Sequence, residues 1–171
     1  SMLFKSTDCG LSFFQIGAGL PADVAVEAIA FDPADASHNR LLVGIAGDSS
    51  AEGDAIWIST DGGLNFVAST SNFSPGSGYR AAVNALSFGT SGHVWAIIDH
   101  YSVAHSSDAG ENWTIVSAAP GYVTVVADPT VPARAWAGGT NPDDQVIRID
   151  FDGSLYSTTT YNDGLTGNAS Y

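Results

Sequence analysis

STDGGLNF at residues 59–66 is the most informative stretch of the sequence, because close copies of it stand at two other places in the chain. The copies are STDCGLSF at 6–13 and SSDAGENW at 106–113. Ser and Asp oxygens accept hydrogen bonds from nearby main-chain N–H groups in tight turns, and Gly adopts positive φ without steric cost. Each copy therefore predicts a tight turn between two strands, with an aromatic residue packed beneath it. The residues given this structural role are Ser6, Asp8, Gly10 and Phe13, then Ser59, Asp61, Gly63 and Phe66, then Ser106, Asp108, Gly110 and Trp113.

Short strand-like runs surround these turns in a constant order. The runs before the turns are MLFK (2–5), AIWI (55–58), SVAH (102–105) and, before a weaker copy, QVIRI (145–149). Two more sets lie between the turns: VEAIAFDP (26–33), VNALSFGT (83–90) and VTVVADPT (123–130), then RLLVGIAG (40–47), HVWAIIDH (93–100) and RAWAGGTN (134–141). Each repeat therefore contains strands A, B and C, the turn, and strand D. A period of about 45–50 residues with four strands is typical of a β-propeller blade.

The chain is accordingly predicted to be all-β and to form a partial β-propeller of four-stranded blades. Residues 1–171 are interpreted as a single propeller segment of about three and a half blades. The repeats fall at about 1–24, 25–70, 83–117 and 122–161, followed by a tail at 162–171. Closed propellers have about four to eight blades. We therefore expect the remaining blades of a larger chain, or a homo-oligomeric ring, to complete the fold.

Composition and charge restrict the partners that the chain is expected to bind. Hydrophobic residues make up 44% of the chain and charged residues only 13%, which is typical of a folded domain. The net charge is −13, so repulsion disfavours nucleic acid and an anionic membrane surface. A polysaccharide or a protein is the expected ligand. The residue pattern indicates no metal and no cofactor, and the acidity with low lysine favours a secreted or cell-surface protein.

The turn sequence S-T-D-x-G-x-S/N-F/W resembles the Asp-box, or BNR, repeat of sialidases, sortilin-type receptors, a photosystem assembly factor and xyloglucan-hydrolysing glycosidases. The stretch at 28–47 followed by AIWISTDGG at 55–63 is most similar to the xyloglucanase-type propellers. This resemblance implies a glycoside hydrolase-like segment acting on a β-glucan such as xyloglucan. The catalytic phrases of those enzymes, RTDxGGxYRW and GDxGGFxH, do not occur; the nearest phrase, FKSTDCGLSFF, would give Asp8 a catalytic role. The alternative is a non-catalytic propeller for polysaccharide binding, protein binding or assembly.

The strand order also sorts the loops onto two faces, because the B–C and D–A loops of a propeller share one face. Carboxylates beside aromatic rings on that face are typical of sugar recognition, and glycoside hydrolysis requires a pair of carboxylates. The substrate-binding candidates there are Asp48, Asp54, Phe73, Tyr79, Arg80, His100, Tyr101 and Asp144. Besides Asp8, the catalytic candidates are Glu27, Asp99 and Asp143. The alternative for each of these residues is an ordinary solvated position in a loop or at a strand end.

Overall fold

The computed structural model describes residues 3–118, 121–140, 146–150, 155–157 and 169–170. These residues form β-strands connected by turns and loops, and no helix occurs within the described ranges. The strands are β1 (Leu3–Lys5), β2 (Phe14–Ile16), β3 (Val26–Phe31), β4 (Leu41–Ile45), β5 (Ile56–Ser59), β6 (Val67–Ala68), β7 (Val83–Phe88), β8 (Val94–Ile98), β9 (Ser102–Ser106), β10 (Thr114–Ala118), β11 (Tyr122–Ala127), β12 (Arg134–Gly139), β13 (Val146–Asp150), β14 (Leu155–Ser157) and β15 (Ala169–Ser170). The described segments contain no helix long and apolar enough to cross a membrane.

The strands assemble into four antiparallel sheets that follow one another along the chain. β1 and β2 pair as a hairpin, β3 to β6 and β7 to β10 form four-stranded sheets, and β11 to β15 form a five-stranded sheet. We call them the N-terminal hairpin and blades 1, 2 and 3. The first strands of neighbouring blades lie in contact, β3 against β7 and β7 against β11. The first four strands of each blade follow the predicted order A, B, C, D, and β15 is added at the edge of blade 3, so the prediction of an all-β partial propeller is confirmed.

The hydrophobic core lies between successive sheets rather than within one of them. The second strands, β4 and β8, are covered on both sides, and every residue in them is buried. Side chains buried between blades 1 and 2 include Leu42, Ile56, Ile58, Val83, Val94 and Ala96. Those between blades 2 and 3 include Trp95, Ile97, Val103, Val125 and Ala135. Each sheet is therefore stabilised by apolar burial against its immediate neighbours in sequence.

The three quoted stretches form turns with the same hydrogen bonds. We call them the repeat turns, and they span 6–13, 59–66 and 106–113. In the second, the Ser59 hydroxyl donates to Asp61 Oδ1 and accepts from the Gly63 N–H, both at 2.8 Å. Asp61 also accepts from the main-chain N–H and the side-chain Nδ2 of Asn65, at 2.9 and 2.8 Å. These bonds, from Asn65 first and Ser59 next, lower the pKa of Asp61 to about 2, so its carboxylate is ionised in the folded turn.

The repeat turns also join each sheet to the one before it. Ala18, just after β2, forms a parallel bridge with Asn65, and its N–H donates to the main chain of that turn at 3.1 Å. Thr70, just after β6, forms the equivalent bridge with Asn112, and its N–H donates to the next turn at 2.9 Å. Hydrogen bonds of this kind fix the position of one sheet on the next, a role that the spacing of the turns in the sequence did not reveal.

The aromatic residue that ends the second and the third repeat turn packs against the preceding sheet. Phe66 is 3% exposed and contacts a cluster that contains Leu3 of the N-terminal hairpin. Trp113 packs against the core between blades 1 and 2, with its ring 6.4 Å from that of Phe73. Phe13 is 64% exposed, so the prediction that it packs beneath its turn is wrong. The physical reason is that, among the described residues, no sheet lies before the N-terminal hairpin to cover it.

Candidate functional site

The B–C and D–A loops meet on one side of the blades, and we call this surface the loop face. Asp48, in the first B–C loop, and Arg80, in the following D–A loop, exchange main-chain hydrogen bonds of 2.9 and 2.8 Å. The Arg80 guanidinium also lies 3.8 Å from the Asp48 carboxylate. The Ser50 hydroxyl and, to a smaller extent, Arg80 lower the pKa of Asp48. Arg80 is only 7% exposed, so it holds two loops together, and its contact with substrate stays a prediction.

Two further carboxylates of the loop face bind main-chain N–H groups of the same chain. Asp54 Oδ1 accepts from the Ser71 N–H at 2.8 Å. Glu52 Oε1 accepts from the Gly78 N–H at 2.6 Å. Both bonds hold the long D–A loop that follows blade 1, which spans 70–80. These acidic side chains therefore shape the loop face before any ligand is present.

Three of the predicted binding residues, Phe73, Tyr79 and Tyr101, come together with the catalytic candidate Asp99 in a cleft of about 210 Å³. We call it the aromatic cleft, and it is lined by Phe73, Ser74, Tyr79, Ile98, Asp99, Tyr101, Ser102 and Ile115. Tyr79 is 39% exposed and Tyr101 51% exposed, while Phe73 is half-buried. The cleft lies between the D–A loop that leads into blade 2 and the turn between β8 and β9.

Asp99 sits at the centre of this arrangement, in the turn between β8 and β9. Its Oδ1 accepts from the Ala82 N–H at 2.7 Å, and its Oδ2 accepts from the Tyr79 hydroxyl at 3.4 Å. The main chain of Asp99 and of the next residue, His100, has a φ of 53° at both positions. Consecutive residues in this left-handed region form a tight turn. Because both oxygens of the carboxylate are engaged, the geometry favours Asp99 as a support for Tyr79 over a role as a proton donor.

A second group of side chains lies at the start of β3, β7 and β11, the first strands of the blades, which we call the inner strands. In each blade the A–B pairing shifts by one residue, between Val26 and Ala28, between Val83 and Ala85, and between Tyr122 and Thr124. The extra residue is Glu27 in blade 1, Asn84 in blade 2 and Val123 in blade 3. A β-bulge of this kind removes one residue from the ladder and re-aims its side chain. The three equivalent bulges were not predicted from the sequence.

Two of the bulge residues, Glu27 and Asn84, are hydrogen-bonded to each other, and His100 links Asn84 to blade 3. Asn84 Nδ2 donates to Glu27 Oε2 at 3.2 Å, and Asn84 Oδ1 accepts from the His100 N–H at 2.8 Å. The His100 ring then lies with Nδ1 3.1 Å from the Tyr122 carbonyl oxygen, at the start of β11. We call Glu27, Asn84 and His100 the inner row. It connects blades 1, 2 and 3, and only its two terminal members had been singled out from the sequence.

The remaining candidates lie elsewhere. Asp8 belongs to the first repeat turn, where hydrogen bonds from Ser12 first, and then Ser6, lower its pKa to about 2. This is the geometry of Asp61, so the structure gives Asp8 the same surroundings as a turn residue, and its catalytic role stays a prediction. Asp143 and Asp144 lie outside the described residues. Within the described ranges no cluster of three or more His, Cys, Asp or Glu side chains is placed to hold a metal ion.

Comparison with known proteins agrees with the propeller architecture. No protein-family model matches the chain, and no curated protein matches it. Among solved structures, YCF48 from Cyanidioschyzon merolae matches with a TM-score of 0.62 and 18% identity, over 83% of this chain and 39% of that one. YCF48 bound to D1 peptide matches with a TM-score of 0.58 and 14% identity, over 99% and 48%. The GH74 xyloglucanase from Xanthomonas campestris matches with a TM-score of 0.55 and 19% identity, over 83% and 20%.

These likenesses concern the fold alone, because all the identities are below 25%. The chain spans less than half the length of each of these neighbours. One neighbour was solved with a peptide and another is named as a xyloglucanase, so β-propellers with either kind of ligand share this architecture.

Proposed function

We propose that the loop face binds a neutral polysaccharide of the β-glucan type, such as xyloglucan, as a segment of an extracellular carbohydrate-active propeller. The observation that carries this proposal is the aromatic cleft, where Tyr79 and Tyr101 present partly exposed rings beside Asp99. Aromatic rings pack against the apolar C–H faces of sugar rings, and tyrosine hydroxyls at the edge meet sugar hydroxyls. Asp99, itself held by the Ala82 N–H, accepts a hydrogen bond from the Tyr79 hydroxyl, which positions the Tyr79 ring and reduces the entropy lost on binding.

The charge of the chain supports a neutral ligand. A net charge of −13 repels anionic polymers, whereas xyloglucan carries no charge. The carboxylates Asp48, Glu52 and Asp54 further concentrate negative charge in the loops next to the aromatic cleft. A secreted or cell-surface location suits such a ligand and is part of the proposal.

Hydrolysis of the same polymer is the second candidate, and it requires two carboxyl groups about 5–10 Å apart across a groove. Asp99 has both oxygens hydrogen-bonded within the chain, and Asp8 lies in a repeat turn. Glu27 is the catalytic candidate on the inner strands, and its side chain is exposed. Among the described residues only its Oε2 has a hydrogen-bond partner, so its Oε1 is available to a substrate. A catalytic pair would then combine Glu27 with a carboxylate beyond the described part, such as Asp143 or one in a further blade.

Binding is tested by affinity electrophoresis and isothermal titration calorimetry with xyloglucan, cellulose oligosaccharides and an anionic pectin as probes. We expect wild type to bind xyloglucan, Tyr101→Ala to weaken binding by about tenfold or more, and pectin not to bind; loss of one buried aromatic contact has this size. Phe13→Ala is the matched control, because Phe13 is an exposed aromatic residue in a repeat turn. Equal affinity of wild type and Tyr101→Ala for xyloglucan, or no binding by wild type, would overturn the proposal.

Turnover is tested separately by release of reducing ends from xyloglucan. Activity that Glu27→Gln abolishes while binding persists would support the hydrolase, and binding without turnover would leave the chain as a binding module. A protein ligand is the alternative when no polysaccharide binds. Such a protein would occupy the same loop face. A photoreactive amino acid in place of Tyr101 would then form a covalent cross-link to it.

The remainder of the ring is also part of the proposal. The described blades leave apolar side chains exposed on the inner strand of blade 1, Ile29 at 45% and Phe31 at 61%. Their equivalents in blade 2, Leu86 and Phe88, pack against the core next to blade 1. We propose that a further blade covers Ile29 and Phe31, from a larger chain or from a second copy in a homo-oligomeric ring. Sedimentation equilibrium of the 171-residue chain distinguishes a larger chain from a homo-oligomeric ring, because only the homo-oligomeric ring predicts self-association.

A further inference from the structure

The inner row consists of side chains whose orientation is fixed by the main chain. The His100 N–H can only donate, so the Asn84 atom that it contacts must be the carbonyl oxygen Oδ1, at 2.8 Å. Asn84 Nδ2 is thereby directed at the Glu27 carboxylate, 3.2 Å away. One N–H of this amide serves that contact. The second N–H has no acceptor among the described residues and remains for another one.

The protonation of the His100 ring follows from its contact in the same way. The Tyr122 carbonyl oxygen, 3.1 Å from Nδ1, accepts hydrogen bonds and cannot donate them, so Nδ1 carries the proton. In the neutral ring Nε2 is then an acceptor. Among the described residues no group donates to Nε2, and the side chain of His100 is exposed. The inner row therefore offers, in order, a carboxylate acceptor, an amide donor and an imidazole acceptor.

This order fits a ligand that carries several neighbouring hydroxyl groups. Each hydroxyl donates one hydrogen bond and accepts others, so one sugar unit can donate to Glu27 and His100 and accept from Asn84. The inner row also adjoins the aromatic cleft, because His100 and Tyr101 are consecutive, with Cα atoms about 3.8 Å apart. A chain of sugar units that contacts Tyr101 therefore passes within reach of the inner row.

We propose that Glu27, Asn84 and His100 form a second sugar subsite, which binds the hydroxyl groups of a unit next to the one held in the aromatic cleft. This inference rests on the proposed function and specifies how a longer ligand is held. Val123, the third bulge residue, is 40% exposed at the equivalent position of blade 3 and provides an apolar contact beyond the row. The inner row would make binding depend on the length of the polysaccharide chain.

The experiment compares two probes by isothermal titration calorimetry: a single xyloglucan oligosaccharide unit and its covalent dimer. The variants are Glu27→Gln, which keeps an acceptor for Asn84, and His100→Asn, because Asn tolerates the positive φ of this position. We expect both variants to lower the affinity for the dimer by about tenfold, the effect of one or two hydrogen bonds to a charged or polar group. The affinity for the single unit should not change. Glu111→Gln, a loss of charge in the third repeat turn, is the matched control and should bind both probes as wild type does.

A purely structural role of the inner row predicts a different result. If the inner row only held the blades together, each replacement would lower the unfolding temperature and reduce the affinity for both probes equally. This outcome would overturn the inference. Equal affinity of wild type and all variants for the dimer would also overturn the inference, but it would not contradict the proposed binding at the aromatic cleft. Failure of wild type to bind either probe would contradict the proposed function and the subsite together. The ¹⁵N signals of the His100 ring provide a second readout: we expect the Nδ1-protonated tautomer without ligand and a shift of Nε2 with the dimer only.

Discussion

The Lys5 ammonium group donates a hydrogen bond to the Gly62 carbonyl oxygen, with 2.9 Å between Nζ and O. This bond runs from the N-terminal hairpin to the repeat turn of blade 1. One blade later, Arg40 Nη1 lies 3.3 Å from the carbonyl oxygen of Ala109, the equivalent residue of the next turn. In both pairs of neighbouring sheets, a cationic side chain of one sheet thus donates a hydrogen bond to the equivalent turn carbonyl oxygen of the next.

Replacement of Lys5 by Met should lower the free energy of unfolding by about 0.5–1.5 kcal/mol, the usual net value of one such hydrogen bond. Met keeps the apolar stem and removes the donor. Urea denaturation of Lys5→Met beside Lys5→Arg, which restores a donor, measures the effect. A Lys5→Met variant as stable as wild type would show that the bond contributes nothing.

Truncation of the aromatic residue should destabilise the protein by very different amounts in two repeat turns of similar sequence. Phe66→Ala removes a ring that is 3% exposed and should cost about 3–4 kcal/mol. Phe13→Ala removes a ring that is 64% exposed and should change stability by about 0.5 kcal/mol or less. Thermal and urea unfolding of both variants give the comparison. Similar losses in the two would mean that Phe13 is covered in solution.

Gly19 is the glycine at which an added methyl group meets the main chain most closely. A Cβ there would lie 2.2 Å from the Phe66 carbonyl oxygen, and its φ is +91°. Gly10 has a similar φ of +86° with open space around the Cβ position. Gly10→Ala should therefore cost about 1 kcal/mol for the backbone conformation alone, and Gly19→Ala about 3 kcal/mol or more because the contact adds to it. Equal unfolding midpoints for the two variants would contradict the packing of residues 17–19, just after β2, against the second repeat turn.

The repeat turns should make stability depend on pH in the acidic range. The pKa of Asp61 falls from 3.8 to about 2 on folding, and Asp8 shows the same shift. A lowered pKa in the folded state means that the stabilisation is complete above about pH 4 and is lost as the pH falls towards 2. Urea midpoints at pH 5, 4, 3 and 2 should therefore decline, and Asp61→Asn should make the decline less steep. Asp23→Asn, outside the repeat turns, serves as the control and should follow wild type.

The order of the strands could be predicted from the sequence because the repeat occurs several times in the chain. Three turns in register placed β5 and β9 directly before the turns, and the runs at 83–90 and 93–100 contain β7 and β8. The same register brought Tyr79, Asp99 and Tyr101 to one face, and they do line one cleft. Patterns that recur at a fixed period mark the same strand in each repeat, so the order of the strands and the faces of the loops follow from the sequence.

The contacts that depend on the main chain were not predictable in the same way. The bulge at Glu27 and Asn84 is a property of strand pairing, and no residue type is required there. The left-handed conformation of His100 likewise carries no glycine to mark it. The exposure of Phe13 depends on which sheet precedes it, which the turn sequence does not encode. A polar residue at the start of an otherwise apolar strand A was the one available signal, and it led to Glu27 but not to its bond with Asn84.

The bulges free one residue in each blade from the constraints of strand pairing. A residue within the ladder must suit its cross-strand neighbours, whereas Glu27, Asn84 and Val123 lie outside the ladder at one equivalent position. An acid, an amide and an aliphatic side chain are accommodated there by the same backbone. Single substitutions at this position can therefore change the chemical groups that the inner surface presents while the ladder hydrogen bonds of the sheets stay intact, so the repeat can vary that surface at little cost in strand pairing.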